Sequence, residues 1–235
     1  MPRCLQCRQK FADPLTAVNF YREPEILCEK CREGWEQCLI FNKKKLKNMD
    51  EESYCKKCLK PLTTHETKCG DCMKLAQHFT LINQLYCEYY NKGIIKDVFH
   101  QYRNGGDVAL CEVIAAQIHF PKKRHDYIVP IPMSAKDDVK STFNPVIQVL
   151  KTKKIPFVDL FGTTGQSESN IKHQTAYHKK RNLFYLTSEA QALNLENKTI
   201  LLVNDIYTTG VSEHQAAEKL FIRKIGKVDV FTFVR

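Results

Sequence analysis

The stretch "TILLVNDIYTTGVSEHQAAEKL", residues 199–220, decides how this chain folds. Four apolar residues, 200–203, run into Asn204-Asp205. A Thr208-Thr209-Gly210 corner and a helix-like segment follow. An unbroken apolar run of this length reads as a strand buried on both faces, the pattern of a parallel sheet. The pattern predicts a strand over 199–203, a turn over 204–211, and a helix from Ser212, its N-cap, to about Ile225. Gly226 is its stop, and a last strand covers 228–234. Strand, helix and strand of these lengths make a crossover unit, and a crossover requires a parallel sheet.

The corner has a chemical use as well. Backbone N–H groups at the turn and the helix N-terminus converge on one spot where the helix dipole favours an anion. Thr208, Thr209 and Ser212 add hydroxyl donors, and Gly210 lets the backbone approach a phosphate. Asp205, at the carboxyl end of the strand, can accept hydrogen bonds from sugar hydroxyls. Together these read as a sugar-phosphate cradle, on the sheet edge where open α/β folds bind ligands. An ordinary loop between strand and helix is the plainer alternative, since Thr-Thr-Gly alone is common.

Working upstream, the text alternates between strand and helix. Strand-like segments are 82–90, 127–132 and 156–161. Helix-like ones are 92–103, a second run ending at Ile118, and 143–152, with Pro145 in its first turn. Tyr86, Tyr89, Tyr90 and Tyr102 could stack on bases, but are expected in or against the core. Residues 162–190 lack a period and read as a long arm.

Before residue 75 the character changes. Eight of the eleven cysteines fall in four Cys-x-x-Cys pairs: Cys4/Cys7, Cys28/Cys31, Cys55/Cys58 and Cys69/Cys72. Such pairs are metal knuckles more often than disulfides in a chain without secretory features. The spacings, Cys-x₂-Cys-x₂₀-Cys-x₂-Cys and Cys-x₂-Cys-x₁₀-Cys-x₂-Cys, suit two tetrahedral Cys₄ zinc sites, paired in sequence order or interleaved. The zinc is expected to be structural. His65 lies between two knuckles and is expected at the surface. Cys38, Cys87 and Cys111 are left as small buried hydrophobes. Residues 1–75 are therefore expected to form a zinc-dependent module, and 76–235 an α/β domain with a parallel sheet.

The chain has 235 residues, 43% of them hydrophobic, enough for such a domain plus a small module. No apolar run reaches the roughly 18–20 residues of a membrane span, and the first residues carry no apolar signal core. The expectation is a cytoplasmic protein without membrane insertion. The formal charge is +10, and eight zinc-bound thiolates would leave about +6. Basic clusters at Lys43, Lys44 and Lys45, at Lys122, Lys123 and Arg124, at 151–154, and at Lys179, Lys180 and Arg181 suit a polyanion, although charge runs are often only a solvated face.

The segment "ILLVNDIYTTGVS" resembles the phosphoribosyl-pyrophosphate motif of type I phosphoribosyltransferases. Joined to the four knuckles, "IVPIPMS" (128–134), and an arm with Gln166 and Asn182, it makes the whole chain similar to the ComF competence family. The resemblance implies a phosphoribosyltransferase-like domain behind the zinc module. It also implies a role in natural transformation: binding single-stranded DNA in the cytoplasm beside a DNA helicase of the ComFA type. Asn204, Asp205, Thr208, Thr209, Gly210, Val211 and Ser212 fall on the phosphoribosyl site, with Asp205 as candidate catalytic acid. Met133, Ser134 and Ala135 fall on the pyrophosphate loop, and Mg²⁺ would accompany phosphoribosyl pyrophosphate. An active transferase with an unknown acceptor is the alternative.

The departures from the motif are as telling. Asn204 stands where the family has the first of two acids. Ser141-Thr142-Phe143-Asn144-Pro145 stands where it has Arg-Gly-Phe-Asn-Gln, so a guanidinium fork is missing and Lys140 is only a point charge. Lys179 takes the place of an arginine in the arm. An amide can meet a ribose hydroxyl but brings no negative charge to a transition state, so catalysis should suffer more than binding.

Overall fold

The computed structural model describes residues 1–13, 21, 24–41, 54–63, 69–133, 143–164 and 183–235. Its centre is a four-stranded sheet built from β1 (Gln84–Tyr86), β2 (Tyr127–Pro130), β5 (Thr199–Ile206) and β6 (Lys227–Val234). The spatial order is β1-β6-β5-β2, and every pairing is parallel. Side chains of β5 alternate between the two faces, as the pleat requires. Leu201 and Val203 meet Phe231 and Phe233 on one side. There they pack with α3 (Gly93–Asn104), α4 (Leu110–Gln117) and α5 (Pro145–Thr152). Ile200 and Leu202 meet Val228 and Val230 on the other, under Ala216, Ala217 and Leu220 of α7 (Val211–Phe221). Both faces being covered explains why the strands read as continuous apolar runs.

The cysteine-rich segments dock onto these same two layers. Cys4, Cys28 and Cys31, with Trp35 of α1 (Glu29–Gln37), join the core on the α3 side. Trp35 packs edge-on against Tyr89 at 5.0 Å, and its indole N–H donates to Gln6 Oε1 (3.0 Å). Cys55, Cys58, Cys69 and Cys72, with α2 (Gly70–Ala76), join the core on the α7 side. The expected burial of Cys38, Cys87 and Cys111 holds. Tyr89 and Tyr102 are buried and Tyr86 and Tyr90 half-buried, in or against the core as expected.

Several boundaries differ from the expectations. The strand β5 does not stop at residue 203: Asn204 still pairs with Thr232 and Ile206 with Val234, because β6 continues beside them. The helix after the corner starts at Val211 with Gly210 as N-cap, φ +81°, and ends at Phe221. Ser212 therefore sits within the first turn. No strand covers 156–160. Pro156 has no N–H to give to a ladder, so the link to β2 is Val158 N–H to Ile128 O (2.9 Å). The strand there is β3 (Phe161–Thr163), antiparallel to β4 (Phe184–Leu186). That ribbon and α6 (Ser188–Ala192) occupy both ends of the expected arm. Residues 165–182, and His65, lie outside the described residues.

At the amino ends of the strands a buried carboxylate, Asp229, is held by Asn83 Nδ2 (2.6 Å), His125 Nε2 (3.0 Å) and Lys123 Nζ (3.2 Å). Burial raises its pKa, but these three partners more than offset that and leave the carboxyl below its ordinary range.

Candidate functional site

The carboxyl ends of β2 and β5 open into a cavity of about 240 Å³. Asn204, Asp205, Thr208 and Ser212 line it, together with Met133. Thr209 is exposed at the corner, and its Oγ1 accepts the Val211 N–H (3.4 Å). Val211 points away, packed with Leu75 and Phe79. Ser134 and Ala135 lie outside the described residues, as do Lys43, Lys44, Lys45, Lys179, Lys180 and Arg181. Lys122, Lys123 and Arg124 are exposed just before β2. In a parallel sheet that is the end opposite the cavity, and Lys123 is spent on Asp229.

Two charged residues in the cavity wall were not legible beforehand. Arg103, at the end of α3, sets its Nε 3.0 Å from Asp205 Oδ2. The contact is an ion pair without the alignment of a hydrogen bond, and Oδ2 is buried with no aligned donor. It returns a guanidinium to the cavity from a helix a hundred residues upstream. Glu213, in the first turn of α7, is 2% exposed. Its Oε1 accepts a hydrogen bond from Asn204 Nδ2 (2.7 Å), and a carboxylate there also suits the helix dipole. The Asn204 oxygen in turn accepts the Asp205 N–H (2.9 Å). Phe143 and Asn144 serve the fold: Phe143 packs at a tilt against Tyr102, 5.2 Å between ring centroids, and Asn144 Oδ1 caps α5 by accepting from the Val146 and Ile147 N–H groups.

The corner rests on the second cysteine group. Leu75 of α2 packs with Val211 and approaches Gly210. His214 is buried with its pKa lowered by desolvation, so its ring is neutral. Its Nδ1–H donates to Gly210 O (2.6 Å) and its Nε2 accepts the Ile82 N–H (3.4 Å), which ties the corner to the segment after α2. Tyr207 lies beneath Gly210. Arg235 lies 5.8 Å from the Tyr207 ring and donates to Cys58 Sγ (3.7 Å).

The cysteines gather in sequence order, Cys4, Cys7, Cys28 and Cys31 in one group and Cys55, Cys58, Cys69 and Cys72 in the other. Within each, all sulfurs lie within 4.8 Å of one another. Sulfur–sulfur distances of 3.7 Å (Cys7–Cys28), 3.8 Å (Cys55–Cys72) and 3.7 Å (Cys58–Cys69) are too long for disulfides. They match the ~3.8 Å edge of a tetrahedron with metal–sulfur bonds near 2.3 Å. The Cys58 thiol is lowered to about 5, first by its hydrogen bond with Cys72 and further by Arg235, while the Cys72 thiol is pushed up. Four sulfurs this close ionise together only around a cation. Both groups can therefore hold a metal ion.

A parallel α/β sheet flanked by two Cys₄ groups that can hold metal ions defines the class. No protein-family model matches the chain. It is similar from end to end to the ComFC competence proteins. The Competence protein ComFC of Streptococcus pneumoniae is 27% identical over 236 residues, 98% of each chain. That of Bacillus subtilis is 24% identical over 244 residues, 99% of this chain and 94% of the other. Among solved structures, a hypoxanthine phosphoribosyltransferase from Staphylococcus aureus matches with a TM-score of 0.29 and 15% identity, covering 52% of this chain and 59% of that one. No described helix is long and apolar enough to cross a membrane.

Proposed function

We propose that the protein serves DNA uptake in the cytoplasm, holding a phosphoribosyl ligand in the cavity at the carboxyl edge of its sheet. One observation carries the reading: Asp205, Thr208 and Ser212 face a single cavity in front of the α7 N-terminus. The phosphate meets the corner, the sugar meets the acids, and Mg²⁺ would accompany a pyrophosphate near Met133. Two zinc ions fill the Cys₄ groups, holding residues 1–75 as a module against the phosphoribosyltransferase-like domain of 76–235. Calorimetric titration with phosphoribosyl pyrophosphate and Mg²⁺ should show micromolar binding that is lost in an Asp205→Ala, Thr209→Ala variant. No heat at millimolar ligand would refute the reading. Turnover with an acceptor is the enzymatic alternative. With Asn204 in place of an acid, the rate should be lower by roughly 10²–10³ than for a full acidic pair.

Single-stranded DNA is the second ligand, on a different surface, with a DNA helicase of the ComFA type as partner. What favours it is a groove of about 320 Å³ along the edge strand β1, where Phe41, Tyr86 and Phe120 stand beside Lys122. Aromatic rings beside a surface cation suit a strand that stacks bases on ring faces and sets its phosphates near the cation. The double variant Lys122→Ala, Arg124→Ala should weaken single-strand binding and flatten the plot of log affinity against log salt by about two phosphate contacts. An unchanged slope would exclude this groove as the DNA surface.

A further inference from the structure

Asn204 occupies the position of an acid, yet the cavity does not lack a second carboxylate. Among the described residues its lining holds two acids, Asp205 and Glu213, and one guanidinium, Arg103. Arg103 lies against Asp205, so those two charges offset each other. Asn204 is engaged at both ends of its amide, its Nδ2 by Glu213 and its oxygen by the Asp205 N–H. A hydroxyl group arriving at this wall thus meets an amide already committed to its neighbours. It also meets Glu213, a buried carboxylate in the same wall to which the Asn204 amide donates. The negative charge absent from the end of β5 has been carried across to the first turn of α7.

We propose that Glu213, oriented by Asn204, is the second sugar-hydroxyl acceptor of the cavity, so that Asp205 and Glu213 together hold the vicinal diol of a ribose 5-phosphate. This rests on the phosphoribosyl reading above. Asn204 acts as a positioning residue: its Nδ2–H donates to Glu213 and holds the carboxylate facing the cavity. The pair works as a unit of one acid and one amide, and the order in which the two elements carry them is secondary. The ligand class is a ribose 5-phosphate with both ring hydroxyls present.

The test is calorimetry on the metal-loaded full chain with two probes, ribose 5-phosphate and inorganic phosphate. In Glu213→Gln, ribose 5-phosphate affinity should fall by about tenfold or more, the scale of one lost charge-assisted hydrogen bond. Inorganic phosphate affinity should be unchanged, which also shows that the corner is still folded. The double variant Asn204→Asp, Glu213→Gln exchanges amide and acid and should regain affinity to within about threefold of the parent. A Glu213→Gln protein that binds ribose 5-phosphate like the parent, or loses both probes alike, overturns the assignment. So does a double variant as weak as the single one. A parent protein that binds ribose 5-phosphate no better than phosphate overturns the underlying reading instead.

Discussion

In the Cys58→Ser protein the second metal ion should be lost, and with it the ligand cavity on the other side of α2. Cys58 is 2% exposed, shares its group with Cys55, Cys69 and Cys72, and takes the Arg235 donor. A tetrahedral site holds its metal through all four ligands, and in small metal modules metal affinity is folding free energy, on the order of 10 kcal/mol. Without the ion α2, seven residues long, has little to hold it. Leu75 would then leave Val211, and Gly210 would lose one wall. The expected readout is metal content falling from two ions per chain to one, and phosphoribosyl pyrophosphate affinity falling by more than tenfold. Cys7→Ser supplies the contrast. It empties the group on the α3 side, away from α7, and should lose its metal with a much smaller change in affinity. Equal affinity losses in the two variants would show that the second group does not support the corner.

How much of this could be read in one dimension depends on how local each feature is. The parallel sheet was legible, because residues 200–203 form an unbroken apolar run and 228–234 are apolar except at Asp229 and Thr232. So were the Cys₄ groups, because a Cys-x-x-Cys knuckle is a short-range device. What three dimensions settled was their pairing in sequence order. The end of β5 was misjudged for a physical reason. Polar side chains at Asn204 and Asp205 say nothing about the backbone, which stays in the ladder as long as β6 runs alongside. Ser212 looked like an N-cap by residue type, but Gly210 takes that place through its left-handed φ. Arg103 and Glu213 are long-range or hidden. Arg103 reaches Asp205 across 102 positions of sequence. Glu213 looks like an ordinary acid in a first helical turn until its burial and its bond from Asn204 are seen. Asn204 and the carboxylate it donates to stand nine residues apart in the sequence, and nothing local joins them.

Gly210→Ala should remove phosphoribosyl binding and destabilise the fold by about 2–4 kcal/mol. Part of this is conformational, since a φ of +81° places a Cβ against the following carbonyl at about 1–2 kcal/mol. The rest is steric. A Cβ at 210 would overlap the Tyr207 phenol and come 3.2 Å from Leu75 Cδ1. Tyr207 is 3% exposed with the Arg235 guanidinium close to its ring, and Leu75 is fully buried on α2. Neither neighbour can yield without moving the second cysteine group, so the corner itself must shift, and the N–H groups of the first turn of α7 shift with it. Gly106→Ala isolates the first part. Gly106 also has a positive φ, +65°, but nothing lies within 4 Å of where its Cβ would stand. It should cost only about 1 kcal/mol and leave ligand affinity unchanged. Chemical denaturation gives the stability difference, and calorimetry with phosphoribosyl pyrophosphate gives the affinity. Equal destabilisation by the two substitutions would mean that the contact with Tyr207 is relieved at no cost. The corner would then be held by its own backbone and not by the cysteine-bearing layer beneath it.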